Sequence, residues 1–346
     1  MIELYTLAQD REWDEIVSSF PDYDIYYLSG YVKAFEAIGD GEPFLLYYTG
    51  EAAHAIYVYM KRKTALADVF DSITPYGYGG VLFDRKDVPA SEVRAFWDAY
   101  GQLMRKEGIV DNFVRYNPLT RNADPLRDVS DVIDLGKTIA MDLRSPEVIW
   151  ENIISKNRNM IRKAEKNGVE IFHGTGMDLL DRFIPIYNGT MERDTADPYY
   201  FFDRLFYESI CRDLEGHYEV FYAVHEGTMI ACSIMLHANG RMHYHLSGSL
   251  AAYRPMAPSN LLLYKAALWG YEQGFRWFHL GGGRGSHDDA LYKFKAAFNR
   301  WSDFRFSIGR EIFDPGSYEW LVDVRAVADP GFDRKSSFFP LYRSGL

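Results

Sequence analysis

A chain of 346 residues is long for one average domain and sufficient for two, each able to bury its own core. Apolar residues at 47% and charged residues at 25%, with 26 Tyr, 23 Phe and 7 Trp, exclude a disordered chain, and no apolar run approaches the roughly 20 residues of a bilayer-spanning helix. A net charge of −11 argues against a protein coated with nucleic acid, so no DNA partner is expected and any anion-binding patch must be local.

The first residues, "MIELYTLAQDREWDE", carry acids where a signal peptide needs basic and then apolar residues, which predicts a cytoplasmic protein. Next, "PFLLYYTGEAAHAIYVYM" (43–60) reads as an aromatic-rich strand, a turn around Gly50 and a second strand. "AFWDAYGQLMRKEGIVDNFVRYNP" follows as an amphipathic helix, a glycine cap at Gly108 and a hydrophobic strand. The order of elements then repeats: "EVFYAVHEGTMIACSIML" (219–236) is a hairpin around Gly227, and "NLLLYKAALWGYEQGFRWFHLGGG" is a helix, a cap at Gly274 and a strand. Between the halves, "SPEVIWENIISKNRNMIRKAEKNGVEIFHG" predicts a helix with Ser145 as N-cap, Pro146 at its first position and Gly168 closing it. The domain change is placed near residue 138, and "ADPGFDRKSSFFPLYRSGL" reads as a polar tail packed on the surface. Cys211 and Cys232 make no disulfide framework or C-x-x-C pair and are expected as buried small hydrophobes. The nine His show no H-x-x-x-H or H-E-x-x-H spacing, so no metal is expected.

Several short stretches carry candidate chemistry. "GGGRGSHDDA" lacks the Lys-Ser or Lys-Thr of a phosphate loop, and its glycines do not complete a dinucleotide fingerprint. It therefore reads as a strand end where backbone can approach closely, with Arg284 as an anion contact. In "LYKFKAAF" the spacing turns Leu291, Phe294 and Phe298 toward the core and leaves Lys293 and Lys295 on other faces, as solvated charges by default. "RMHYHLSGS" alternates like a strand, with His243 and His245 on one face and Tyr244 on the other. "KNRNMIRKAEK" (156–166) has five basic residues and one acid, and Arg158, Arg162 and Lys166 repeat along one helix face as a stripe that could meet RNA phosphates.

A hairpin followed by a helix and a strand, twice in tandem, resembles two GNAT-type (GCN5-related) acyltransferase domains of α+β class, each a mixed sheet flanked by helices. With "KNRNMIRKAEKNGVEI", "TMERDTADPYYF", "MHYHLSGS" and above all "LYKFKAAFN" in this order, nearly the whole chain resembles the FemABX aminoacyltransferases, of the FemX type because no long coiled-coil insertion is present. The resemblance implies residues 1–137 as a first domain, completed by the tail 311–346, and 138–310 as the second. It also implies an enzyme that transfers an amino acid from aminoacyl-tRNA to an amine of a peptidoglycan precursor peptide, on UDP-MurNAc-pentapeptide or lipid II, without metal or redox cofactor. Site residues carried over are Lys295 directly after Phe294, beside the reacting carbonyl, Tyr244 near the reaction, and Lys33 and Arg193 on the precursor. Tyr200, His245 and Arg284 are expected around the same substrate. Two departures, the missing glycine after Arg193 and His279-Leu280 where an acid precedes the glycines, leave the identity of the precursor open. A GNAT-type N-acyltransferase using acyl-CoA is the alternative enzyme. In "YRPMAPSNLLLYKA", Arg254 and Ala257 fit a pyrophosphate loop, but Pro258 and Ser259 interrupt its glycine pattern. A non-catalytic peptide-binding module is the alternative outside enzymes.

Overall fold

The computed structural model describes residues 1–345 and divides them into two compact units, one of residues 1–135 with 306–345 and one of residues 136–305. The elements are, in chain order, β1 (Ile2–Tyr5), α1 (Asp10–Ser18), α2 (Ser29–Ala37), β2 (Glu42–Thr49), β3 (His54–Lys63), β4 (Phe70–Ile73), β5 (Leu82–Phe83), α3 (Ala90–Lys106), β6 (Ile109–Arg115) and β7 (Asp131–Asp142). There follow α4 (Pro146–Asn152), α5 (Ser155–Lys166), β8 (Glu170–Gly174), α6 (Met177–Arg193), α7 (Arg204–Asp213), β9 (Tyr218–His225), β10 (Thr228–Ala238), β11 (Arg241–Ser249), α8 (Pro258–Glu272), β12 (Trp277–Gly281), α9 (Ala290–Ala296), β13 (Phe304–Ile312) and α10 (Pro315–Ala328).

In the first unit the strand order is β1-β2-β3-β4-β6-β13, with β5 pairing off β3. The first hairpin pairs Glu42–Thr49 with His54–Lys61, and its aromatic residues Tyr48, Tyr57 and Tyr59 join Phe96 and Tyr100 of α3 in the core. Gly108, at φ 68°, turns the chain from α3 into β6. Expected as surface, the tail is buried at its end, where Tyr342 is 1% exposed. Its hydroxyl lies 2.7 Å from an oxygen of Asp111 and 3.1 Å from one of Asp71, two fully buried carboxylates. Arg62 and Arg343 pair with Asp71, so a polar cluster rather than apolar packing alone fastens this end of the chain.

In the second unit the order is β7-β12-β11-β10-β9-β8. The second hairpin, β9 and β10, turns through Glu226 and Gly227 at φ 48° and 76°, a pair of positive angles that suits a two-residue hairpin turn. Helix α8 packs its Leu261, Leu263, Ala266 and Ala267 into a core with Met141, Ile161, Met242 and Phe278. One predicted helix is two. Ser145 does cap α4, accepting from the Val148 N–H, but Ile153 and Ile154 are extended and α5 starts afresh at Ser155. The break is tertiary in origin: Ile153 is fully buried and the Ile154 N–H bonds to the carbonyl of Ala297. Cys232 is buried as expected, whereas Cys211 is partly exposed.

Candidate active site

The second unit gathers most of the candidate residues where β11 and β12 part. These parallel strands pair only through Arg241, Met242 and His243 opposite Trp277, Phe278 and His279, yet β11 runs on to Ser249. Beyond the pairing, Gly281 takes φ 78° and turns the chain away, and Gly283 lies so close to the His287 carbonyl and the Asp289 carboxylate that a Cβ there would overlap both. The carboxylate of Asp289 then caps α9, accepting from the Tyr292 N–H at 2.8 Å. The glycine run is therefore a tight return from strand to helix.

That return sets Lys295. Its side chain, a solvated charge by spacing alone but placed beside the reacting carbonyl by the family resemblance, is 9% exposed, and its Nζ donates to the Gly282 carbonyl at 2.7 Å. Burial pushes the ammonium down from its ordinary 10.5 to about 8, with the Asp289 carboxylate opposing the shift. At pH 7 the group is still mostly protonated, roughly ten to one. Lys293, two residues earlier, is exposed, and Leu291, expected toward the core, is 37% exposed. Helix α9 has only seven residues, and its inner side is set by buried Lys295 and partly buried Phe294, with Phe298 buried two residues past its end. Phe294 packs against the core and meets Phe298 edge-on at 5.5 Å.

A chain of contacts leads outward from Asp289. The Arg284 guanidinium lies 3.7 Å from the Asp289 carboxylate and donates to the Asp194 carbonyl at 3.2 Å. Asp194 follows α6, and its carboxylate lies 3.4 Å from Arg193, which in turn donates to the Ser249 carbonyl at the end of β11 at 3.0 Å. Arg193 and Arg284 thus converge on one turn beside the free end of β11. Tyr200 stands in the same loop, its carbonyl accepting from the Tyr187 hydroxyl at 2.9 Å.

Strand β11 departs from simple alternation. A bulge opposite Ile234 and Met235 makes His245 the extra residue, so His243 and His245 do not share a face by the expected count of two. Tyr244 packs against the core of the unit, and burial pushes its hydroxyl up to about 12, Ser247 opposing the shift. Burial pushes the His245 imidazole down to about 3, with His243 adding to the effect. Near neutral pH the phenol is therefore protonated and the imidazole uncharged, a donor and a weak acceptor.

Lys33 lies in the first unit on α2, ion-paired with Asp10 at 2.6 Å. On α5, Arg158 and Arg162 both lie over the ring of Trp150, at 5.8 and 5.2 Å, while Lys166 is exposed. Among the described residues no three His, Cys, Asp or Glu side chains gather to hold a metal ion. The sequence reading missed Asp194, Asp289 and Trp150. Only Asp289 had a local signal, an acid three residues before Tyr292 at a helix start.

Residues 155–295, from α5 to Lys295, match the family model for an acetyltransferase (GNAT) domain. A curated relative, the UDP-N-acetylmuramoylpentapeptide-lysine N(6)-alanyltransferase of Weissella viridescens, is 28% identical over 176 residues, 49% of this chain and 50% of the relative. The chain thus matches about half the length of that protein. Among solved structures, FemX superposes with a TM-score of 0.70 at 13% identity, over 92% of this chain and 99% of FemX. A Bacteroides thetaiotaomicron protein of unknown function does so at 0.60 and 12% identity, over 90% and 99% of the two chains. The fold is that of tandem GNAT-type domains, mixed sheets flanked by helices. The chain is thus similar to the alanyltransferase in part of its sequence and to FemX in its fold.

Proposed function

We propose that this protein is an aminoacyltransferase that moves an amino acid from aminoacyl-tRNA to an amine of a peptidoglycan precursor peptide, with no metal or redox cofactor. The observation that carries the reading is Lys295, a buried ammonium held by the Gly282 carbonyl where β11 and β12 part, inside the matched GNAT domain. Attack of an amine on the donor's ester carbonyl makes a tetrahedral oxyanion. A fixed, poorly solvated cation beside it stabilises that charge far better than it would in water. The attacking amine must also shed a proton. With His245 too acidic and Tyr244 protonated, the acceptor of that proton is water, the substrate, or the Lys295 amine in its neutral fraction. Arg193 and Arg284 offer planar forks suited to the precursor's phosphates or carboxylates, and Lys33 is a further contact carried over from the family resemblance. Tyr200 and His245 would line the same substrate.

An acyl-CoA donor is the second reading, favoured by the acetyltransferase description of the matched domain. The start of α8 weighs against it. Pro258 has no N–H, and the N–H groups of Asn260 and Leu261 bond to the Ala257 carbonyl, which leaves the first turn poorly furnished for a diphosphate. Calorimetric titration tests the acceptor half of the proposal. UDP-MurNAc-pentapeptide or lipid II should bind, and absence of binding by both at millimolar concentration would remove the cell-wall substrate.

A further inference from the structure

The surface beyond α9 combines uncompensated arginines with exposed tryptophan. Trp301 is 70% exposed, and the Arg300 guanidinium lies over its ring at 5.0 Å. The Arg300 N–H bonds to the carbonyl of Asn152, the last residue of α4, two positions past the Trp150 that carries Arg158 and Arg162. Arg158 also donates to the Trp150 carbonyl at 3.4 Å. In a chain of net charge −11, none of these three arginines meets a carboxylate within ion-pair distance among the described residues, whereas Arg204, Arg276 and Arg310 all do. Buried Asn157, at the start of α5, ties this surface to the candidate active site. Its amide donates to the Ala297 carbonyl, just past Lys295, and accepts from Asn260 in the first turn of α8 at 2.5 Å.

We infer that Trp301, Trp150, Arg158, Arg162 and Arg300 form a stacking platform for the unpaired 3′ end of an RNA. Guanidinium groups lying over indoles hold their charge above a flat apolar surface. Nucleobases stack on such planes, and the outward N–H groups meet the phosphates between them. An anionic membrane is the less suitable partner, because the apolar side of α5, Ile161 and Ala164, is already buried in the core and the helix has no apolar face to lay on a bilayer. The inference rests on the aminoacyl-tRNA reading for the identity of the RNA, but the platform itself can be tested without turnover.

The probe is a short uncharged RNA ending in unpaired CCA, titrated into the full protein with tryptophan fluorescence as readout, beside vesicles rich in anionic lipid. RNA should quench the fluorescence, Trp301→Ala should weaken binding about tenfold, and Trp301→Phe should restore most of it. Replacing Arg158 and Arg162 together by Ala should lower the slope of log affinity against log salt by about 1.4. Unchanged RNA affinity in Trp301→Ala, or binding to vesicles but not RNA, overturns the platform. If RNA binds as described but charged tRNA supports no acyl transfer, the platform stands and the aminoacyltransferase reading falls. If transfer occurs with the same KM for charged tRNA in Trp301→Ala as in the parent, the platform falls alone.

Discussion

Replacing Lys295 by Met should make the protein more stable near neutral pH, and the gain should shrink as the pH rises. In the fold the ammonium sits about 2.5 below its ordinary value of 10.5 because burial strips its water, so the unfolded chain binds its proton more tightly than the folded one. Stability contributed by this group is therefore reduced below about pH 8 and recovers as the pH climbs from about 8 to 10.5. Integrating between the two values gives a cost of about 3 kcal/mol at pH 7 and about 1 kcal/mol at pH 10. Methionine fills similar volume without the charge. It also abandons the hydrogen bond to the Gly282 carbonyl, but a neutral amine makes that bond as well, so its loss changes little with pH. Urea unfolding of parent and variant at pH 7 and pH 10, followed by circular dichroism, should show the difference between them falling by about 2 kcal/mol. A difference independent of pH would mean that Lys295 is solvated and would undo the electrostatic basis assigned to the site.

The same substitution should lower kcat and kcat/KM by similar factors, about a hundredfold or more, while Lys293→Met, on the exposed side of α9, changes turnover less than about threefold. If the ammonium form is the one that acts, the rate should fall as the pH rises past about 8, and a profile flat to pH 9.5 would assign the work to another group. Arg193→Ala should weaken calorimetric binding of UDP-MurNAc-pentapeptide, since it removes a planar donor while Thr190 still ties the end of β11 to α6; unchanged affinity would take Arg193 out of the substrate site. In the first unit, one Tyr342 proton cannot serve two buried carboxylates at once. Burial, with Asp71 adding to it, pushes Asp111 up to about 8 from 3.8, so its stabilising protonated form is lost as the pH rises through about 8. Asp111→Asn cannot ionise, and its stability relative to the parent should increase between pH 4 and pH 8; a constant difference would show that Asp111 is ionised in the fold.

Much of the fold was legible because its cues are local. Aromatic strands flank short turns, and Gly108, Gly227 and Gly274 all take positive φ where the sequence demanded a cap or a turn. What was missed depends on distant partners. The stretch Trp150–Ile154 reads as continuous helix, and it is broken by the burial of Ile153 and the pairing of Ile154 with Ala297. The bulge at His245 follows from the register with β10, which no count along β11 reveals. By spacing alone Lys295 reads as an ordinary solvated lysine, and only the resemblance marked it; its burial follows from the return through Gly281 to Gly283, which carries a carbonyl over its ammonium. Asp194 becomes notable only when α6 and the loop after β12 meet at it.

The central claim is that charged tRNA, rather than acyl-CoA, supplies the group that Lys295 helps to transfer. Incubating the protein with UDP-MurNAc-pentapeptide and either a tRNA pool charged with labelled amino acids or labelled acetyl-CoA, then weighing the acceptor by mass spectrometry, tests it directly. The predicted result is an acceptor heavier by one amino-acid residue with charged tRNA alone, abolished by ribonuclease and strongly reduced in Lys295→Met. An acceptor left unchanged by charged tRNA but acetylated from acetyl-CoA would contradict the account.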